Sequence, residues 1–171
     1  MFRKFYPTVY YKSPYHIDFK ALFDKGYRGL LTDIDNTLVE HGAPADQRSD
    51  DFFVTLHNMG WKTCLISNND ETRVKPFAKA ACSPYICDAG KPKKAGYLKG
   101  MQLMGTDTSN TLFLGDQLFT DIFGANNAGM KSILVKPVKT DRKPLILLKR
   151  AGEIIVKFFY FRYADHHPDN L

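Results

Sequence analysis

The sequence predicts an α/β fold: a parallel sheet covered by helices on both faces. Two observations predict it. Short apolar runs recur along the chain, and the segments between them carry apolar residues at helical spacing. The regular alternation of the two kinds is the pattern of strand–helix–strand crossovers, which bury both faces of a parallel sheet.

The elements follow in order. Residues 1–15 hold Pro7, Pro14 and many aromatics, and predict an extended N-terminal arm that packs by its rings. Residues 17–25 suit a short helix closed by Gly26. Residues 29–32 form an apolar run ending at Asp33, the first buried strand. Over 46–59, Phe52, Phe53, Leu56 and Met59 recur at helical spacing, and Gly60 suits the stop. Residues 62–67 predict the second strand and 72–81 the second of these helices, with Pro76 near enough to its start to be tolerated or to kink it. A short strand over 85–87, a helix over 93–104, a strand over 111–115, a helix over 119–128 and a strand over 132–136 complete the alternation. Residues 144–163 predict a last helix opened by Pro144.

The chain has 171 residues, 44% of them hydrophobic and 25% charged, which suits a single ordinary globular domain and excludes extensive disorder. Its net charge of +6 favours anionic partners: phosphorylated metabolites, nucleic acid or an acidic membrane surface. The basic excess lies late, with Lys136, Lys139, Arg142, Lys143, Lys149, Arg150 and Lys157 against Asp141 and Glu153. Cys64, Cys82 and Cys87 match no zinc spacing; Cys64 sits in an apolar run and reads as a buried small hydrophobe. The first sixteen residues lack the apolar run of a signal peptide, and no stretch is apolar for long enough to span a bilayer. A cytoplasmic location, peripheral to a membrane if the tail touches lipid, is the expectation. No nucleic-acid module is recognised.

Ligands of parallel sheets bind at the carboxyl ends of the strands. There the chain places Asp33 and Asp35, Ser67 and Asn68, Lys91, and Asp116. Two carboxylates at i and i+2 project toward one pocket, and a magnesium ion between them and a phosphate offsets their repulsion. A carboxylate held this way can attack phosphorus, while the second serves as general acid for the leaving group and then as base for water. The alternative for this hexapeptide is a solvated turn. Asp116 supplies a further oxygen ligand for magnesium; Asp121 acts through water or merely caps the following helix. Ser67 and Asn68 offer a hydroxyl and amides to phosphoryl oxygens, or form an ordinary turn. Lys91 neutralises charge on the transferring group, with Lys93 and Lys94 as competitors.

The order Asp33-x-Asp35-x-Thr37, Ser67 after a strand, Lys91-Pro92, then Gly115-Asp116 with Asp121, resembles the haloacid-dehalogenase-like (HAD) superfamily of phosphatases. The resemblance covers about residues 29–135. The texture of Ser67-Asn68-Asn69 and of residues 115–121 is similar to subfamily III A, YqeG type, whose relatives include phosphatidylglycerophosphate phosphatases. The resemblance implies a Rossmann-like three-layer α/β/α fold and a magnesium-dependent phosphomonoester hydrolase with a phosphoryl-aspartate intermediate. Asp33 is then the nucleophile and a metal ligand. Asp35 is the acid/base and binds metal through its backbone carbonyl. Thr37 steadies the loop beside the phosphate, which Ser67, Asn68 and Lys91 bind; Asp116 completes the magnesium site and Asp121 supports it.

HAD phosphatases often carry a cap domain after the first motif or between the second and third. Neither gap here leaves room for a large one, so an open site for a bulky phosphate is expected. Phosphatidylglycerophosphate comes first among substrates, and a small soluble phosphate is the alternative. A non-catalytic phosphate- or protein-binding module on the same fold is the rival class; retention of Asp33 and Asp35 disfavours it. Over 144–163, Leu147, Leu148, Ala151, Ile154, Ile155, Phe158 and Phe159 line one face, with Lys149, Arg150, Lys157 and Arg162 beside it. Such a helix either lies in an anionic membrane interface or packs on the domain. The sequence fixes no oligomeric state.

Overall fold

A computed structural model describes residues 3–139 and 144–164, giving the backbone alone over 144–151. Six strands form one sheet: β1 (Val9–Tyr11), β2 (Gly29–Thr32), β3 (Lys62–Ile66), β4 (Tyr85–Ile86), β5 (Thr111–Gly115) and β6 (Lys131–Val135). Their order is β1-β6-β5-β2-β3-β4, and every pairing is parallel. From β2 the chain winds outward to β3 and β4, then returns to β5 on the other side. The direction of winding switches at β2, which puts a crevice at the carboxyl ends of β2 and its neighbours.

The helices are α1 (Phe19–Asp24), α2 (Gln47–Asn58), α3 (Glu71–Ala80), α4 (Lys94–Met104), α5 (Phe123–Asn127) and α6 (Pro144–Ala164). Side chains alternate across each strand, so adjacent residues serve opposite layers. Leu30, Leu65, Leu112 and Leu114 pack with Leu22 of α1, Phe53 and Leu56 of α2 and Phe77 of α3. Leu31, Cys64, Ile66 and Phe113 pack on the other face with Tyr97 and Met101 of α4 and Ala125 of α5. The three-layer α/β/α expectation holds, and Cys64 is buried as expected. Pro76 sits inside α3, which continues past it to Ala80. The first connection, residues 33–61, holds a short flap and α2, and residues 67–84 hold α3, so no large cap covers the sheet edge.

The N-terminal segment departs from the expected arm. Its rings do pack, with Phe5 on Phe119 and Phe123 and Tyr6 on Tyr160. Yet Val9–Tyr11 also pairs with β6 and becomes the sheet's sixth strand. Three residues between prolines give too little alternation to read as a strand, and only the partner β6 makes it one.

α6 departs in a different way. It packs through Gly152, Glu153, Val156 and Tyr160, of which the last three are buried. Val156 joins Leu118, Ile122 and Leu134 in a third apolar cluster. The periodicity points to the neighbouring face, and the structure leaves Ile154, Ile155, Phe158 and Phe159 exposed. The side chains of Leu147, Leu148 and Ala151 lie outside the described residues. The helix is apolar on two faces, so the hydrophobic pattern alone does not choose between them.

Candidate functional site

Asp33 leaves the end of β2 with its N–H still donating to Leu114 O of β5, at 2.9 Å. Asp116 follows β5 directly and is fully buried. Between β5 and α5 the chain makes one π-helical turn, Leu118–Ile122, in which Ile122 N–H donates to Gln117 O at 3.1 Å. The expected helix over 119–128 is therefore two pieces. The wide turn swings Asp121 back beneath Gly115, and single π turns of this kind recur at functional sites. Only glycine fits at 115: a Cβ there would lie 2.6 Å from Asp121 Cβ.

These placements bring carboxylate oxygens of Asp33, Asp116 and Asp121 within 4.8 Å of one another, all buried. Lys91, from the loop after β4, inserts its ammonium among them. Its Nζ lies 2.9 Å from Asp33 Oδ1 and donates to Asp121 Oδ1 at 2.7 Å. Lys93 and Lys94 are exposed, so geometry singles out Lys91 from the three lysines. Asn68 fixes that lysine's backbone: Oδ1 accepts from Lys91 N–H at 2.7 Å, and Nδ2 donates to Lys91 O at 3.2 Å. The Asn68 side chain is thus committed to Lys91, which leaves its backbone for any anion.

Burial pushes the Asp33 carboxyl up to about 6; Lys91 pulls it down, and Asp121 pushes it up again. Burial also works against the charge of Lys91, but Asp121 and Asp33 outweigh it and raise the ammonium well above its ordinary value. Lys91 stays charged. One lysine against three buried carboxylates leaves the pocket short of positive charge, and buried carboxylates require compensation. Oxygen donors clustered this closely suit a hard divalent cation.

Thr37 and Asp121 bind the site together. Thr37 is buried, and its hydroxyl donates to Asp116 Oδ1 at 3.4 Å. Asp121 Oδ2 accepts from the amides of Asp116 and Gln117 at 3.2 and 3.0 Å. Asp121 thus meets Lys91 with one oxygen and holds the turn with the other; it lies inside the turn and does not cap the helix that follows. Ser67 is buried at the end of β3, and its Oγ accepts from Asn69 N–H at 3.1 Å.

Asp35 sits apart from this cluster, on a tight turn in which Asn36 takes the left-handed conformation at φ 60°. Its carboxylate is held from several sides. Oδ1 accepts from Gly42 N–H at 2.6 Å and from Arg73 Nη2 and Nε at 2.9 and 3.3 Å. Oδ2 accepts from Asn69 Nδ2 at 2.7 Å, and His41 Nδ1 lies 3.9 Å from Oδ1. Arg73 and Asn69 are the functional neighbours that sequence reasoning missed. A usable signal was present: Asp70 caps α3 and accepts from Arg73 N–H, which fixes Arg73 in the first turn of a helix beginning at the sheet's carboxyl edge. Glu153 was missed as well; buried on α6, it accepts from Leu118 N–H at 2.9 Å.

Comparison with known proteins agrees with this architecture. The sequence model of the HAD-hydrolase-like family matches residues 88–159. A probable phosphatase, YqeG of Bacillus subtilis (strain 168), is 34% identical over 168 residues, 90% of this chain and 98% of that one. The chloroplastic phosphatidylglycerophosphate phosphatase 1 of Chlamydomonas reinhardtii is 27% identical, across 82% of this chain and 57% of that longer protein. Among solved structures, the cobalt-bound deoxy-D-mannose-octulosonate 8-phosphate phosphatase of Haemophilus influenzae aligns with a TM-score of 0.51 at 11% identity, over 74% of this chain and 91% of that one, a likeness of fold. With a parallel sheet of this topology, acidic residues gathered at its carboxyl edge and a relative 34% identical along nearly its whole length, the chain belongs to the haloacid-dehalogenase-like phosphatases, in the YqeG group.

Proposed function

We propose that the chain is a magnesium-dependent phosphomonoesterase that passes through a phosphoryl-aspartate at Asp33, and that its substrate is a phosphorylated lipid headgroup, phosphatidylglycerophosphate first. The observation that carries the chemistry is the buried trio Asp33, Asp116 and Asp121 with a single lysine among them. That donor set fits magnesium: Asp33 and Asp116 would hold it, with the Asp35 carbonyl, and Asp121 would support them. When bound, the ion supplies charge compensation that lets an anionic phosphate approach carboxylates.

The rest falls to the chain's own groups. Asp33 attacks phosphorus; its oxygen forms the new P–O bond as the bond to the leaving oxygen breaks. Lys91 balances charge on Asp33 and on the transferring group. Asp35 gives its proton to the leaving oxygen, then takes one from the water that displaces Asp33. Ser67 and the amides of the turn after β3 receive phosphoryl oxygens. The open sheet edge supports a bulky substrate, and the likeness to a phosphatidylglycerophosphate phosphatase supports the lipid.

The test is hydrolysis of an aryl phosphate with magnesium and with chelator, beside Asp33→Asn. Turnover that needs magnesium and vanishes in the variant is expected. Retention of a tenth of the activity by Asp33→Asn would remove Asp33 from its role. Preference for phosphatidylglycerophosphate over soluble phosphates is then measured in mixed micelles.

A further inference from the structure

The outward face of α6 has no account in the site chemistry. Ile154 is 69% exposed, Ile155 and Phe158 each 57%, and Phe161 43%. Four large apolar side chains within eight residues of one helix form a continuous strip, where scattered exposure would need no explanation. The inner face of the same helix is already engaged by Val156 and Tyr160. The strip is therefore a second apolar face, not a badly packed first one.

Charge identifies what covers it. Of the 24 Lys and Arg and the 18 Asp and Glu, nine and two fall within residues 131–162, which leaves fifteen and sixteen elsewhere. That segment alone is +7, and the remainder of the chain is −1. The whole basic character of the protein thus belongs to β6, the connection after it and α6. Two copies meeting through this face would bring two strongly positive segments together, which disfavours a dimer. An anionic surface complements it. Aromatic and aliphatic side chains on one side of a basic helix suit the headgroup boundary of a bilayer, and α6 is not apolar enough to cross one.

Position agrees. α6 follows β6 from the sheet's carboxyl edge, and Glu153 accepts from the amide of Leu118, two residues beyond Asp116. The strip begins at Ile154, the next residue. The candidate site and the apolar strip are thus linked through the packing of α6 on the π turn.

We infer that the outer face of α6 docks the protein on an anionic lipid surface, with Ile154, Ile155, Phe158 and Phe161 entering the interface and the net positive charge of residues 131–162 drawing the segment to the headgroups. This rests on the lipid-phosphate reading only for its purpose; the docking itself needs no turnover. The docked chain takes its substrate laterally from the membrane that carries it.

The experiment is co-sedimentation of the full chain with vesicles of phosphatidylcholine alone and of phosphatidylcholine with phosphatidylglycerol, at low and high salt, beside Ile154→Ser/Phe158→Ser. The expected result is binding to anionic vesicles, weakened by salt, with partitioning reduced on the order of tenfold or more in the double variant. The variant should keep its melting temperature and its hydrolysis of a soluble aryl phosphate, because both side chains face outward. Absence of binding to anionic vesicles overturns the inference, as does equal binding by the variant. A stable dimer in solution that the double variant dissociates also overturns it, and assigns the face to a second copy. The Asp33→Asn chain should bind like the parent, so failure of docking and failure of catalysis are read separately.

Discussion

Asp35 shows most clearly what single residues decide. Its backbone follows Asp33 by two, which the sequence already displayed, but its carboxylate is aimed by groups far away in the chain: Asn69, Arg73 and Gly42. A proton donor works only when its geometry is held. Arg73 is therefore a positioning residue for the proposed acid/base. Arg73→Ala should lower kcat by roughly 10- to 100-fold on an alkyl phosphate, whose leaving oxygen needs a proton. The loss should be smaller for a nitrophenyl phosphate in its first step, because that leaving group departs unprotonated. Arg73→Lys should recover only part, since a lysine cannot reproduce the two-nitrogen contact. Equal losses for both substrates would mean that Arg73 serves the fold alone. The placement of Asp33 and Asp116 at the sheet's carboxyl edge was legible because each directly follows an apolar strand. The choice of Lys91 over Lys93 and Lys94 was not, because burial separates them and spacing does not.

At the scale of elements, β2, β3 and β5 were readable because each carries an apolar run, Leu30–Leu31, Cys64–Ile66 and Leu112–Leu114, buried on both faces. β1 was not, since its three residues become a strand only by pairing with β6. The expected helix over 119–128 was half right. A π turn has the same side-chain composition as an α turn, and its reason lies in the contact between Asp121 and Gly115. Asp121 is drawn under the end of β5 to meet two amides and Lys91, and the extra residue in the turn makes that reach possible. Gly115→Ala tests this coupling. A methyl 2.6 Å from Asp121 Cβ must displace the turn, for about 1–3 kcal/mol of stability as in other overpacked sites. It should also weaken magnesium-dependent turnover, because Asp121 moves relative to Lys91. A variant with unchanged melting temperature and unchanged activity would show that the turn is not held by this contact. α6 teaches the complementary lesson: periodicity found the helix and its apolar character, but two apolar faces compete, and only the sites for Val156 and Tyr160 on the body decide which is inward.

For the molecule as a whole, the site is a place where the fold accepts an unfavourable arrangement. Ends of the central strands deliver three carboxylates to one buried point, and a single ammonium offsets only part of their charge. Asp33 carries the mark of this, its carboxyl raised to about 6 mainly by burial. Sites built for chemistry commonly sacrifice stability in this way. Removing one carboxylate should then relieve the chain when no cation is present. Asp116→Asn is expected to melt at or above the temperature of the parent in chelator. Magnesium should reverse the order: a ligand that binds only the folded chain stabilises it by about 2.7 kcal/mol at a hundred times its Kd. The parent should rise with magnesium concentration, and Asp116→Asn should rise far less. The stabilisation spreads beyond the pocket, because Asp33 and Asp116 follow β2 and β5, and a cation held by both would fasten the ends of these two strands to each other. Melting curves of both chains with and without magnesium decide the matter. A parent whose melting temperature ignores magnesium would mean that the trio is held by Lys91 alone and that the cation belongs elsewhere. A variant that is less stable than the parent in chelator would mean that the hydrogen bond from Thr37 to Asp116 outweighs the repulsion among the carboxylates.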